Sequence, residues 1–262
     1  MMKSILQAGA VGLPICEGWI VLATLKKIRP KLAQLSLGSV TRAVLADRLT
    51  YLSVEKLRRI EAILRETQGV PGDIVEFGVA LGGSGIILAN AARGRKRFVG
   101  FDVFETIPPP TSDKDDAMSK ARYAEIAAGK SSGIGGDSYY GYRSDLLSDV
   151  TRSFARHGVP LSDHVVLHKG LFADTWPGAG VSTMSLAHID CDWYDPVKYC
   201  LDACAQRLAV GGAIIVDDYF DYGGCRVAVD EFMAERRDFV IDKGANPILR
   251  RIGADGTGAP GR

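Results

Sequence analysis

From residue 69 onward the chain repeats one pattern, short apolar runs separated by longer helical stretches, and nothing else in it restricts the fold so strongly. After Gly69-Val70-Pro71-Gly72, strands are predicted over Asp73–Phe77, Arg97–Phe101, His164–His168, Met184–Ile189 and Ala213–Val216. Helices are predicted between them, notably over Ser84–Arg93 and Pro196–Leu208. Parallel neighbours need a long crossover connection, and a helix is its usual form. The expectation is therefore an α/β fold, with a parallel sheet and helices on both faces. Phe239–Asp242 and Ile248–Ile252 flank a Gly-Ala-Asn-Pro turn and are expected to add two terminal strands. Residues 1–68 read as an N-terminal helical region. It closes with a helix over Val54–Glu66, capped by Ser53, whose apolar face carries Leu57, Ile60, Ile63 and Leu64. The expected division is thus 1–68 and 69–262.

One stretch interrupts the alternation. Phe104–Tyr142 is rich in Pro, Gly, Ser, Asp and Lys, and contains Pro108-Pro109-Pro110 and Gly133 through Gly136. A long insertion inside a compact domain is usually a lid or a disordered loop. This one follows the second strand, so it leaves the sheet at the carboxyl edge, where ligands bind in open α/β sheets.

Composition excludes some functions. Lys plus Arg number 32 and Asp plus Glu 31, a balance that offers no clustered basic surplus for nucleic acid. Residues 5–25 are apolar, but Pro14 and Glu17 interrupt them, so no membrane span is expected. The expectation there is a surface helix docked on its own domain, with an interfacial or partner-facing helix as the alternative. The five cysteines, Cys16, Cys191, Cys200, Cys204 and Cys225, form no CxxC pair, which points to a reduced, cytoplasmic setting. Cys200 and Cys204 are spaced to share a buried helix face.

The chemistry sits at the strand ends. Glu76-Phe77-Gly78-Val79-Ala80-Leu81-Gly82-Gly83-Ser84-Gly85 links a strand to a helix. Glycines there let a ligand approach the backbone, and the helix start offers free N–H groups. Ala80 breaks the dinucleotide fingerprint, and this turn does not end in Gly-Lys-Ser or Gly-Lys-Thr as a phosphate loop would. Glu76 would repel a pyrophosphate, whereas a carboxylate beside a glycine turn suits a cationic ligand such as the amino acid part of S-adenosylmethionine. Asp102 ends the second strand, where a carboxylate can accept ribose hydroxyl protons; its plainer reading is a loop cap.

Asp190-Cys191-Asp192 closes the fourth strand and Asp217-Asp218 the fifth. Adjacent parallel strands would bring these carboxylates together, and they repel unless a cation offsets them. An all-oxygen set suits Mg²⁺, or Mn²⁺ or Ca²⁺. The alternative is solvent-facing loop caps. None of His157, His164, His168 and His188 is assigned as a ligand, and His188 lies too deep to be assigned as the base. No G-x-S-x-G elbow is present.

With these motifs the sequence resembles the macrocin O-methyltransferase family over about residues 45–235. The resemblance is carried by Gly72-Asp73-Ile74-Val75-Glu76 with Gly82-Gly83-Ser84, by Phe101 to Glu105, and by Lys169-Gly170-Leu171-Phe172-Ala173-Asp174-Thr175-Trp176-Pro177. Asp190 to Tyr194, Gly211-Gly212, Asp217-Asp218-Tyr219 and Cys225-Arg226 complete it. It implies a class I methyltransferase, Rossmann-like sheet, a bound Mg²⁺ (or Mn²⁺), S-adenosyl-L-methionine as methyl donor, and a sugar hydroxyl on a natural product as acceptor. The implied metal ligands are Asp190, Asp217 and Asp218. The expected cofactor contacts are Glu76, Gly78, Gly82, Ser84, Asp102, Phe172 and Asp190. The chain departs from the family in having Cys191 between its two aspartates and Ala80-Leu81 before Gly82-Gly83.

The expected reaction is methyl transfer to a hydroxyl whose proton is taken by Asp190 or Asp192, with Asp190 favoured as both ligand and base. Tyr139, Tyr140 and Tyr142 are candidates for packing on a sugar face. A phenol or catechol acceptor and a non-catalytic binding module are the alternatives. The expected partner is a small glycoside, with no nucleic acid; a homo-oligomer is left open.

Overall fold

The computed structural model describes residues 34–253. The expectations for residues 1–33, including the apolar stretch and Cys16, lie outside the described residues. The compact unit that carries the sheet begins at Leu37. It opens with α1 (Ser39–Ala46) and α2 (Val54–Glu66). Both helices therefore belong to the body of the sheet domain, and no boundary near residue 68 separates them from it.

Seven strands follow: β1 (Asp73–Phe77), β2 (Phe98–Asp102), β3 (Val165–Lys169), β4 (Met184–Ile189), β5 (Leu208–Val216), β6 (Phe239–Asp242) and β7 (Ile248–Arg251). Between them lie α3 (Gly83–Ala92), α4 (Ala117–Ala127), α5 (Leu146–Arg156), α6 (Phe172–Thr175), α7 (Tyr194–Arg207) and α8 (Gly223–Glu235). The sheet order is β3-β2-β1-β4-β5-β7-β6. The first five strands are parallel, and β7 and β6 close the edge antiparallel. Alternate strand residues face two cores. Val75, Phe77, Ala187, Ile189, Ile214 and Val216 pack with α7 and α8, whereas Ile74, Leu186, Ala213 and Ile215 pack with α2, α3 and α5. Helices thus cover both faces, as expected for a buried parallel sheet.

Two boundaries differ from expectation in ways that matter. β2 runs through Asp102, so this carboxylate is fixed by strand pairing. β5 begins at Leu208, which pairs with Met184 across an irregularity that absorbs Gly211-Gly212. Glycines mark such a bulge in a strand and hide it from a reading of apolar runs.

The chain turns from β1 to β2 on one side and comes back to β4 on the other, so the order reverses between β1 and β4. A crevice opens at the carboxyl ends of the strands at such a point. Register fixes what lies there. Phe77 is level with Ile189, and Ile189 with Val216. Asp190 N donates to Phe77 O and Asp217 N to Ile189 O, both at 2.9 Å. The residues one step past the strands, Gly78, Asp190 and Asp217, therefore form one row.

Candidate active site

A cavity of about 900 Å³ occupies this edge. Its wall includes Gly78, Ser84, Asp102, Phe172, Asp190, Asp192, Asp217 and Asp218. Eight of the ten expected site residues are thereby brought together. Glu76 and Gly82 are not in the wall, and both expectations need correction.

Glu76 is fully buried in β1, level with His188 of β4, and its Oε1 lies 2.9 Å from His188 Nδ1. A side chain with no exposed surface cannot touch a ligand in the cavity, so the expected direct contact with a cofactor ammonium does not form. Its other oxygen rests where a β-carbon on Gly85 would sit. The reading of His188 as too deep for a base agrees with its full burial. Gly82 caps α3 at φ 89°, and its α-carbon faces Phe154 and Val150 of α5. It holds the helix start against the body.

Gly78 has a different reason to be glycine. At φ 92° it approaches so near that a β-carbon would overlap the Asp190 carbonyl. The turn after it is held by Asp102, whose Oδ2 accepts from Val79 N and Ala80 N at 2.8 Å each. These bonds support Ala80 in a left-handed conformation, φ 46°. Phe104 N donates to Asp102 Oδ1 at 2.6 Å. A carboxylate offers about four lone-pair positions, so three backbone bonds leave room for one further hydroxyl. The expectation that Asp102 accepts both ribose protons is corrected to one at most, and the loop-cap reading describes its other contacts. Burial pushes the Asp102 carboxyl up, against the three N–H donors.

The acidic row is tightly built. Asp192 has φ 61°, and its N–H donates to Asp218 Oδ2 at 3.0 Å. Burial, reinforced by Asp218, Asp217 and Asp192, pushes Asp190 well above the usual carboxylate range. Burial followed by Asp192 and Asp217 does the same to Asp218. Asp192 is pushed up to about 7, chiefly by burial, with Arg122 opposing. One oxygen from each of Asp190, Asp217 and Asp218 falls within 4.8 Å of the others. Asp217 Oδ1 is buried with no protein partner. A hard divalent ion, with ligands at about 2.0–2.6 Å, would fit this oxygen set and could give the orphaned Oδ1 a partner.

Three residues that sequence reasoning did not single out also face the cavity. Lys56 reaches it from the first turn of α2, Tyr222 borders it before α8, and Arg122 projects from α4 within the insertion. The Arg122 guanidinium lies 5.7 Å from the Tyr139 ring centre. A lone lysine or arginine carries no spacing signal, so no motif could have found the first or the third. Of the three lid tyrosines, Tyr139 and Tyr140 face the cavity. Tyr142 instead donates from its hydroxyl to Ile126 O at 2.6 Å and accepts from Ser131 N at 3.2 Å. It holds the insertion together and does not reach a ligand.

The insertion is seated on the body by its own polar groups. Trp193 Nε1 donates to Pro108 O at 2.9 Å, and Thr111 Oγ1 to Asp195 Oδ2 at 2.6 Å. Asp115 Oδ1 accepts from Tyr194 N at 2.9 Å, at the start of α7. Asp116 Oδ2 accepts from Gly223 N at 3.0 Å, at the start of α8. Adjacent carboxylates thus satisfy free N–H groups of two different helices, where the helix dipole also favours them.

The chain matches the family described as macrocin-O-methyltransferase (TylF) over residues 48–240. It is 30% identical over 200 residues to demethyldecarbamoylnovobiocin O-methyltransferase of Streptomyces niveus, covering 72% of this chain and 70% of that one. It is 34% identical over 181 residues to mycinamicin III 3''-O-methyltransferase of Micromonospora griseorubida, covering 66% and 64%. It is 32% identical over 177 residues to a tetracenomycin-C 4'-O-methyltransferase of Streptomyces olivaceus, covering 66% and 61%. The chain thus spans less than two thirds of the length of two of these three relatives. Among solved structures, the O-methyltransferase NovP aligns at TM-score 0.64 with 26% identity, over 78% of this chain and 82% of that one. A calicheamicin methyltransferase shares the fold at TM-score 0.57 with 18% identity, over 95% and 100%. The chain belongs to the macrocin-O-methyltransferase family.

Proposed function

We propose that this protein is an S-adenosylmethionine-dependent O-methyltransferase that methylates a sugar hydroxyl of a glycosylated natural product. A divalent ion, Mg²⁺ or Mn²⁺, would be held by Asp190, Asp217 and Asp218. The observation that carries the reading is the meeting of three carboxylates with the glycine turn and Asp102 in one cavity. The relatives from Streptomyces niveus and Micromonospora griseorubida are named as O-methyltransferases of natural products, which supports the acceptor class.

The residues divide the work. The turn Gly78–Ser84 and Asp102 hold the cofactor, with Phe172 as a flat apolar wall, and the bound cofactor supplies an electrophilic methyl group. Tyr139 and Tyr140 pack on the acceptor and help to exclude water. Positioning of this kind supplies much of the acceleration in a displacement between two bound molecules. A sugar hydroxyl is a poor acid and keeps its proton at neutral pH unless a base accepts it. Asp190, or Asp192 beside it, accepts its proton at a carboxylate oxygen. The ion, when bound, supplies positive charge where the acceptor oxygen loses that proton.

The four described cysteines are free and buried, which suits a reducing, cytoplasmic setting. No described helix is long and apolar enough to cross a membrane. The test of the acceptor class is a methyl-transfer assay on paired glycosides and their sugar-free aglycones. Methylation confined to the glycosides is the expected result. Equal methylation of a phenolic aglycone would overturn the sugar assignment.

A further inference from the structure

Lys56 is placed where its charge needs a reason. It stands in the first turn of α2, three residues after the capping Ser53. That end of a helix carries the positive pole of the dipole, so a cation there is unfavourable. Its ammonium nevertheless reaches across 161 residues to the acidic row. It donates to Asp217 Oδ2 at 2.8 Å, to Asp221 Oδ2 at 2.9 Å and to the Asp217 carbonyl at 3.1 Å. An ammonium has three protons, so all of its donor capacity is spent there. Burial works against its charge, but Asp217 and Asp221 outweigh it and raise its pKa.

The consequence falls on Asp217. One of its oxygens is taken by Lys56, and the other, Oδ1, is buried without a partner. Two of the three Lys56 bonds grip the same residue, at backbone and side chain, which fixes the direction of its carboxylate. We propose that Lys56 is a positioning residue for the metal site, aligning Asp217 so that it offers Oδ1 alone to the ion shared with Asp190 and Asp218. The inference rests on the metal-dependent reading above. It also draws α2 into the catalytic apparatus, although that helix precedes the first strand.

The direction of the effect separates positioning from simple charge balance. Removing a cation beside a cation site would tighten metal binding if only Coulomb forces acted. Removing an orienting partner of a metal ligand weakens it, typically about 10–100-fold. The experiment titrates Mn²⁺ into the full chain by calorimetry, with Lys56→Met and Asp221→Asn beside the wild type. S-adenosylhomocysteine binding to each protein serves as the reference. Lys56→Met should weaken Mn²⁺ roughly 10–100-fold and leave S-adenosylhomocysteine binding unchanged. Asp221 is exposed, so its substitution does not threaten folding, and it should weaken Mn²⁺ in the same direction by less. Mn²⁺ bound by Lys56→Met as tightly as by the wild type, or more tightly, overturns the proposal. A wild type that takes up no Mn²⁺ overturns the metal reading itself, a different result from the first.

Discussion

The seat of the insertion gives a prediction that can be read in local protection, in stability and in activity. Gly223 and Gly224 open α8, and the carboxylates of Asp116 and Asp115 rest against them. A β-carbon on Gly224 would overlap Asp115 Oδ1 and meet Tyr194 N at 3.0 Å. In an ordinary helix, alanine in place of glycine stabilises by about 0.5–1 kcal/mol. Here Gly224→Ala makes Asp115 swing away and give up its bond to Tyr194 N. A hydrogen bond to a charged group contributes about 1.5–3 kcal/mol. The neighbouring bond from Gly223 N to Asp116 is strained with it, so closure of the insertion should weaken by about 2–5 kcal/mol. Closure is part of the folded state, so the melting temperature should fall, the helix gain of about 0.5–1 kcal/mol offsetting only a small part of the loss. Hydrogen exchange should show protection lost over residues 104–142 and retained in β1, β4 and β5. Steady-state assays should show KM rising for the acceptor more than for the cofactor, since Arg122, Tyr139 and Tyr140 come from this segment. Unchanged protection over 104–142 in Gly224→Ala would refute the argument that the two carboxylates seat it.

Two further predictions follow. Asp102→Ala removes the acceptor of three backbone N–H groups, so it should lower the melting temperature and weaken S-adenosylmethionine binding at least tenfold, or about 1.4 kcal/mol; weakened binding in calorimetry with an unchanged melting temperature would refute its role in shaping the turn. Asp192 has its carboxyl raised to about 7 in the metal-free fold, above the usual 3.8, so its contribution to stability is fully present below pH 4 and is lost as pH rises through 7. Thermal melts of the metal-free protein should therefore lose ground to an Asp192→Asn variant between pH 5 and pH 8; a constant difference across that range would contradict the assignment.

What the sequence conveyed, and what it did not, follows from the range of the interactions. Strand positions and the acidic row were legible because period and order along the chain determine them. Asp190 and Asp217 meet because parallel register brings strand ends level, a rule that needs no side-chain detail. The contact between Glu76 and His188 was not legible. It depends on which face of β1 each residue occupies relative to β4, and a carboxylate next to a glycine turn looks the same whether it points to the cavity or away. Asp102 was placed correctly, but its three backbone partners come from loops whose paths a one-dimensional pattern does not contain. Lys56 and Arg122 escaped for a related reason. Each acts through tertiary contact across many residues, and a single cation on a helix reads as solvated surface. The pairing of Asp115-Asp116 with Gly223-Gly224 is of the same kind: each pair looks like ordinary turn chemistry, and only the fold shows that they fit each other.

The proposed role of the carboxylates of Asp190, Asp217 and Asp218 in methyl transfer is to hold a divalent ion. The most direct measurement is the rate of methyl transfer to a glycoside acceptor in excess chelator, then with Mg²⁺ restored, beside calorimetry of S-adenosylmethionine under the same conditions. Chelation should nearly abolish turnover, Mg²⁺ should return it, and cofactor binding should stay almost the same, because the turn and Asp102 lie at the ends of β1 and β2. Asp217→Asn and Asp218→Asn should be partly rescued by high Mg²⁺, and Asp190→Asn should resist rescue if it is also the base. Full turnover in excess chelator would contradict the account and leave Asp192 as the leading candidate for a base that works without metal.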